Sequence, residues 1–416
     1  MHISILTLAG RELALLKAES FWTKDDVLSR IPALRDVQVG VVRLLHGGAE
    51  LAEDAQLGRA DISDGAQLHL VLESRRLALT ASSDRSVKLW NAESGELLRS
   101  FEGHRATVST AVFSPDGALV LTASDDHTAK LWSTNSGECL RTLEGHTAML
   151  NAAMFSPHGA LVLTIPEEGQ ARLWSTQSGE LLRALDGHAG HVTRAAFSPD
   201  GARILTASYD LTVRLWSAST GECLRILEGF LAWVNTLMFS ADGARVLTTS
   251  NTLVAQVWDA ETGECLQRLE GHRGCVHSAT FSPDGSLVLT ASDDRCAKLW
   301  CGKTGECLQT LAGHRGTANS AVFSPDGEQI LTCCNGRTAR LWDVETGKCL
   351  RTFEGHRGSV HFAVFSPDGT HVLTASGDYT SKVWNAASGE CVCSLEGHRG
   401  TIHSALFSPA SGRVLR

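Results

Sequence analysis

From residue 77 onward the chain alternates short apolar, β-branched runs with tight-turn signals, and it does so on a fixed period. In ATVSTAVFSPDGALVLTASDDHTAKLWSTNSGECLRTLEGH, which begins at Ala106, the runs VSTAVF, ALVLTAS, TAKLW and ECLRTL are five to seven residues long. That length and composition predict strands rather than helices. SPDG brings a proline and a glycine to the first turn, and NSGE a glycine to the third. Trp recurs every 42 residues from Trp90 to Trp384. Gly-His recurs with it at Gly103, Gly145, Gly187, Gly271, Gly313, Gly355 and Gly397, and Gly229 fills the remaining slot with Phe230 behind it. Four strands repeated radially hide their edges by closing into a β-propeller.

Gly-His, then S-P-D-G, then S-x-D-x-T-x-K-L-W and T-G-E make residues 77 to 416 resemble the WD-repeat family. The Trp-Asp pair itself stands only at Trp258-Asp259 and Trp342-Asp343. The array starts at RLALTAS, a second strand with no first strand before it, and ends after GHRGTIHSALFSP, a first strand with little behind it. Joining the ends gives one composite blade, residues 77–101 with 399–408, beside seven complete ones. The expected fold is therefore mainly β, an eight-bladed propeller closed by strand exchange between its ends. The rival is seven blades with a loose hairpin, with SGRVLR competing for the slot beside RRLALTAS.

The resemblance implies a hydrogen-bonded set in each blade, made of the His of Gly-His, a second-strand Ser, the Asp of the following turn and the Trp. By position the set is complete in His104, Ser124, Asp126 and Trp132, and likewise around His188, His272 and His356. It is complete in the composite blade only if His398 joins Ser82, Asp84 and Trp90. Three blades depart: the third has Pro166 and Glu168, the fifth Phe230 and Thr252, the seventh Cys334 and Gly336. Losing one partner of a buried hydrogen bond strands the other, whereas losing both is nearly neutral. The fifth blade thus reads as a tolerated exchange, and His314 in the seventh as uncompensated.

The resemblance also puts the Gly-His loops and the S-x-D turns on one face that commonly holds ligands. Arg105, Arg273, Arg315, Arg357 and Arg399 follow Gly-His in a contiguous arc of blades, an arrangement suited to an acidic motif or to a merely solvated surface. Blades three, four and five carry Thr147, Ala189 and Leu231 instead, and with them Met149, Tyr209, Phe230, Leu231 and Trp233, plus His191 and Glu167 as polar handles. Such residues are enriched at protein-binding hot spots. Phe230 and Trp233 have an alternative role as fillers of the space left by the missing set.

Residues 1–73 lie outside the repeat. MHISILTLAG and ELALLKAE read as a hairpin turning at Gly10, Thr23 as the cap of a short helix through Val27 to Ile31, and VVRLLHGGAEL and QLHLVLE as further strands. M-x-I-x-x-x-T-L-x-G, R-L-L-x-G-G-x-x-L and L-H-L-V-L make this segment resemble ubiquitin, a small α+β (β-grasp) domain, with residues 74–76 as a linker. The resemblance maps an apolar recognition patch onto Leu8, Leu45 and Val71 with His69 beside it. Pro32 is expected to shorten the helix. The terminal Gly-Gly needed for conjugation is replaced by Glu73, Ser74, Arg75 and Arg76, so a built-in domain is expected rather than a modifier.

Composition changes this picture little. A net charge of -9 without a Lys/Arg block makes nucleic acid an unexpected partner, and no apolar run approaches a membrane span. The start carries no secretory pattern, so the 12 Cys are expected to be reduced inside a cell, cytoplasmic with a nuclear location allowed. Cys139, Cys223, Cys265, Cys307, Cys349 and Cys391 share the period and read as small buried hydrophobes. No metal cluster, cofactor motif or catalytic constellation stands apart from the repeat. The expectation is a non-catalytic protein-interaction scaffold, a monomeric propeller within a larger complex. Its propeller binds a protein or peptide and its first domain docks on ubiquitin- or proteasome-pathway receptors. The alternatives are a substrate receptor of a ubiquitin ligase and a ribonucleoprotein scaffold.

Overall fold

The structure, a computed structural model, describes residues 2–7, 12–18, 22, 27, 40–46, 49–51, 62, 64, 66–74 and 76–409. The chain divides into two compact units between Arg76 and Leu77.

In the first unit, β1 (His2–Thr7), β2 (Glu12–Lys17), β3 (Gly40–His46), β4 (Ala49–Glu50) and β5 (Ala66–Ser74) form one sheet in the order β2-β1-β5-β3-β4. β1 runs antiparallel to β2 and parallel to β5, with Ile3 opposite Ala66 and Ile5 opposite Leu68. Alternation puts Ile3, Ile5, Leu44 and Leu68 on one face, and all four are fully buried. The hairpin turn at Gly10 and the helix expected from Thr23 to Ile31 lie outside the described residues, apart from the buried Val27.

In the second unit the described residues form eight four-stranded antiparallel sheets. Blade 2 shows the logic. Its second strand, Leu119–Ser124, is buried along nearly its whole length because neighbouring blades cover both faces, which is why LVLTAS reads as a continuous apolar run. The third strand, Ala129–Ser133, alternates and sends Trp132 into the space between blades. The fourth strand, Cys139–Leu143, is the outer edge, and only Leu143 at its end is fully buried. The turn SPDG is built by Ser114 Oγ, which donates to Asp116 at 2.6 Å and accepts from Leu119 N–H at 2.8 Å, with Gly117 at φ 74°.

One expectation is corrected here. The six cysteines on the 42-residue period are exposed, because each opens an outer strand that has no neighbour on its far side. The buried thiols are Cys333 and Cys334 on a second strand.

Blade 1 joins the two ends of the array. Ile402–Phe407 pairs antiparallel with Leu77–Ser82, from Ile402 opposite Ser82 to Phe407 opposite Ala78. This sheet packs between blades 8 and 2, so the ring closes with eight blades. SGRVLR lies outside the described residues.

Candidate functional site

The Gly-His loop and the turn between the second and third strands meet at one end of every intact blade. In blade 2, His104 Nδ1 lies 2.8 Å from Asp126 Oδ2, and His104 Nε2 lies 2.6 Å from Thr122 Oγ1. Trp132 Nε1–H donates to the same hydroxyl at 2.9 Å. With the Asp126 carboxylate accepting from Nδ1–H, Nε2 is left as the acceptor of the Thr122 proton, and one directed chain runs from Trp through Thr and His to Asp. The expected Ser is therefore not the link. Ser124 Oγ instead accepts from Asp126 N–H at 3.1 Å and donates to Ala106 O at 3.2 Å, stitching the two loops. A register shift in the ladder between Ala123 and Ser124 separates the relay residue from the stitching one. Thr80, Thr122, Thr164, Thr206, Thr248, Thr290, Thr332 and Thr374 all accept from their blade's Trp, and their 42-residue spacing was the signal for them.

The same set recurs around His188, His272 and His356. In blade 1 it spans the chain, with His398 Nδ1 at 2.9 Å from Asp84 and Nε2 at 2.8 Å from Thr80. Burial alone would raise the Asp126 carboxyl, but hydrogen bonds from Thr128, from Arg105 N–H and from His104 bring it down to about 2. Burial lowers His104, against the pull of Asp126. These His-Asp pairs are used up in holding the loops together.

Blade 5 replaces the set with packing. Phe230 is buried against Trp258, ring centroids 5.0 Å apart, in the cluster of Leu237 and Val246. As a surface-binding residue Phe230 is therefore corrected: the space left by His is apolar and Phe fills it. In blade 7, His314 keeps Thr332 at 2.6 Å, while its buried Nδ1 has no partner.

The other residues of the apolar arc are on the surface. Tyr209 meets His191 edge-on at 6.4 Å and Trp233 edge-on at 5.9 Å. This trio crosses from blade 4 to blade 5, and Tyr209 is 52% and Trp233 46% exposed. Leu231 beside them is 84% exposed, the most open large apolar side chain among the described residues. In blade 3, Glu167 N–H bonds Met149 O at 2.7 Å, and both side chains are exposed. Arg194, unremarked in the sequence, reaches from blade 4 to Asn235 O of blade 5 at 2.9 Å and ties the two blades together.

Arg105, Arg273, Arg357 and Arg399 each donate their backbone N–H to the blade's aspartate at 2.7–2.9 Å, and their side chains are exposed one per blade. Arg315 is exposed too, but no aspartate faces its N–H. In the first unit, Leu45 and His69 stand directly opposite each other and are half-buried. Val71 pairs through its backbone with Arg43, and Leu8 lies outside the described residues. Among the described residues no group of three or more His, Cys, Asp or Glu is placed to hold a metal ion, and no helix is long and apolar enough to cross a membrane.

The family model described as "WD domain, G-beta repeat" matches seven consecutive stretches, residues 95–133, 137–175, 179–217, 221–259, 263–301, 305–343 and 347–385. Each stretch joins the outer strand of one blade to the first three of the next, so Leu97–Phe101 of blade 1 falls inside them, and the rest of blade 1 and the outer strand of blade 8, Cys391–Leu395, fall outside. A 41-residue stretch is 51% identical to the WD40 repeat-containing protein HOS15 of Arabidopsis thaliana, covering 10% of this chain and 7% of that protein's length. Among solved structures, the computationally designed Ika8 protein is similar with a TM-score of 0.68 and 29% identity, over 75% of this chain and 94% of that one.

Proposed function

Because the chain belongs to the WD40 (G-beta repeat) family, whose propellers generally bind proteins and are typically non-catalytic, we propose that it is a protein-interaction scaffold whose looped face docks a protein or peptide on blades 3 to 5. The observation that carries this reading is the edge-to-face trio of His191, Tyr209 and Trp233, which stays half open to solvent beside Leu231. Rigid aromatic side chains held by neighbours lose little freedom on binding, and exposed clusters of them mark interaction surfaces. Met149 and Glu167 extend the surface by one blade.

The propeller, residues 77–416, follows a ubiquitin-like domain of residues 1–73 through the linker 74–76, and that domain docks on ubiquitin- or proteasome-pathway receptors. Two features support this half: the mixed sheet with its parallel β1–β5 centre, and Leu45 beside His69 on paired strands. Joining the two modules in one chain raises the concentration of one partner near the other. The protein is placed in the cytoplasm or nucleus, as a single propeller within a larger complex.

Affinity capture from a cell extract with wild type and with Tyr209→Ala/Trp233→Ala should show partners held by wild type alone; an identical set from both removes the apolar arc from the interface. Leu45→Ala should separately lose ubiquitin receptors, and unchanged capture of them overturns the second half.

A further inference from the structure

Blade 7 departs from its neighbours at two positions of the set, Gly336 for the aspartate and Cys334 for the serine. In blades 1, 2, 6 and 8 the turn aspartate accepts two donors with one oxygen: His Nδ1–H and the backbone N–H of the next arginine. Both donors persist in blade 7, as His314 and Arg315, but the aspartate position is Gly336. Thr332 Oγ1 accepts from Trp342 at 2.7 Å and lies 2.6 Å from His314 Nε2, and His314 Nδ1 has no partner; in the tautomer that the aspartate fixes in the other blades, its Nδ1–H has no acceptor. His314 is 6% exposed, and such a buried unpaired donor costs about 1 to 3 kcal/mol.

The surroundings are cationic. Arg315 and Arg337 are exposed on the two loops, and neither GHRGT (313–317) nor CNGRT (334–338) contains an acidic residue. The loop over the ring is also held more weakly than elsewhere. In blade 2 Asp126 Oδ1 takes both Thr128 N–H at 3.0 Å and Thr128 Oγ1–H at 2.6 Å. In blade 7 that carboxylate is absent and Thr338 Oγ1 lies 3.7 Å from Cys334 Sγ, while Gly336 N–H donates to Cys334 Sγ at 3.2 Å where blade 2 has Asp126 N–H on Ser124 Oγ at 3.1 Å. Sulfur is a weak partner, so this loop opens at lower cost than its counterparts.

We propose that blade 7 is a carboxylate-binding site, in which an Asp or Glu side chain of a protein partner seats between His314 Nδ1–H and Arg315 N–H, supplying from outside the group that five other blades carry themselves. Arg315 and Arg337 draw the acidic segment to the loops, and the two inner donors select a carboxylate there over a merely negative surface. Blade 6 separates the site from the apolar arc, and the site stands without it.

The test lets the protein fill its own site. Gly336 is not in the left-handed region, and a Cβ there meets Cys334 Sγ at 3.1 Å and Arg315 Cβ at 3.5 Å, so Gly336→Asp is accommodated by a small shift of one thiol. Gly336→Asp/Cys334→Ser removes even that contact and recreates the pair found in blade 2. The probe is a fluorescein-labelled hexaglutamate peptide, followed by fluorescence polarisation at low ionic strength with the full chain. Wild type should bind, and both aspartate variants should bind at least about tenfold more weakly while unfolding at higher temperature. Asn335→Asp adds the same charge one residue away, where Asn319 Nδ2 already donates to Oδ1, and should weaken binding no more than about threefold. Trp233→Ala should bind hexaglutamate as wild type does, whatever becomes of the apolar arc. No binding by wild type, or equal weakening by Asn335→Asp and Gly336→Asp, overturns the proposal.

Discussion

Blades 5 and 7 have both lost the aspartate that locks the loops, and they have ended in opposite states. Blade 5 lost the histidine as well, and Phe230 lies against Trp258 with no polar atom of its own to satisfy. Blade 7 kept the histidine, and His314 Nδ1 is stranded. The difference shows that the unit of substitution here is the pair. Removing both ends of a buried hydrogen bond leaves an ordinary apolar contact, and removing one leaves an unsatisfied donor.

Acid should expose this difference most broadly. Burial holds His314 and His146 at about 4, against an ordinary value of 6.5, and it also lowers His104, His188, His272, His356 and His398. The unfolded chain then binds more protons than the folded one, so stability falls as pH drops below about 6.5. Asp126 and Asp210, held at about 2, add stability that is present at neutral pH and is lost as pH falls from their ordinary 3.8 through 2. Both sets act in the same direction. Urea titrations at stepped pH should give a loss in two stages: the first comes from the buried histidines, which blade 5 lacks and blade 7 keeps in His314, and the second from the lowered carboxylates, to which the turn position of neither blade contributes although Asp242 and Asp259 of blade 5 and Asp326 and Asp343 of blade 7 do.

Next in size is the relay hydroxyl. Thr122→Val strands both His104 Nε2 and Trp132 Nε1 and should cost about 2 to 4 kcal/mol by urea denaturation. Thr248→Val in blade 5 strands only Trp258 Nε1 and should cost about half as much. Equal costs would mean that His contributes nothing through Thr. Phe230→His should cost about 1 to 3 kcal/mol, and adding Thr252→Asp should recover part of it, a coupling read from the double-mutant cycle. The smallest change is expected from Gly336→Asp, a gain of about 1 kcal/mol as His314 regains a partner.

Much of this was legible from spacing. The Trp and Gly-His periods give the blades, and the need to match His398 with Asp84 closes the ring from the sequence alone. The unpaired state of His314 also follows from residue types alone. The relay threonines escaped because, inside LVLTAS, a β-branched residue at a buried position is indistinguishable from core packing. The exposed cysteines escaped because an outer strand and an inner strand share one composition while only one has neighbours on both sides. The aromatic trio joins residues from adjacent copies, His191 and Tyr209 with Trp233, and a contact between blades leaves no periodic trace. Phe230 was placed on the surface by its loop and proved internal because its side chain inherits the inward path of the histidine it replaces.

The shared blade has a consequence in time. Leu77–Ser82, fully buried in the finished ring, waits for Ile402–Phe407, which leaves the ribosome last among the strands described here. At ordinary elongation rates that interval is on the order of tens of seconds. Through it, an apolar strand edge stands open on a growing chain, a template for pairing with a neighbour on the same messenger. The His398–Asp84 contact is then the last clasp to fasten, and a chain cut before Ile402 would keep seven sound blades and one permanently adhesive edge.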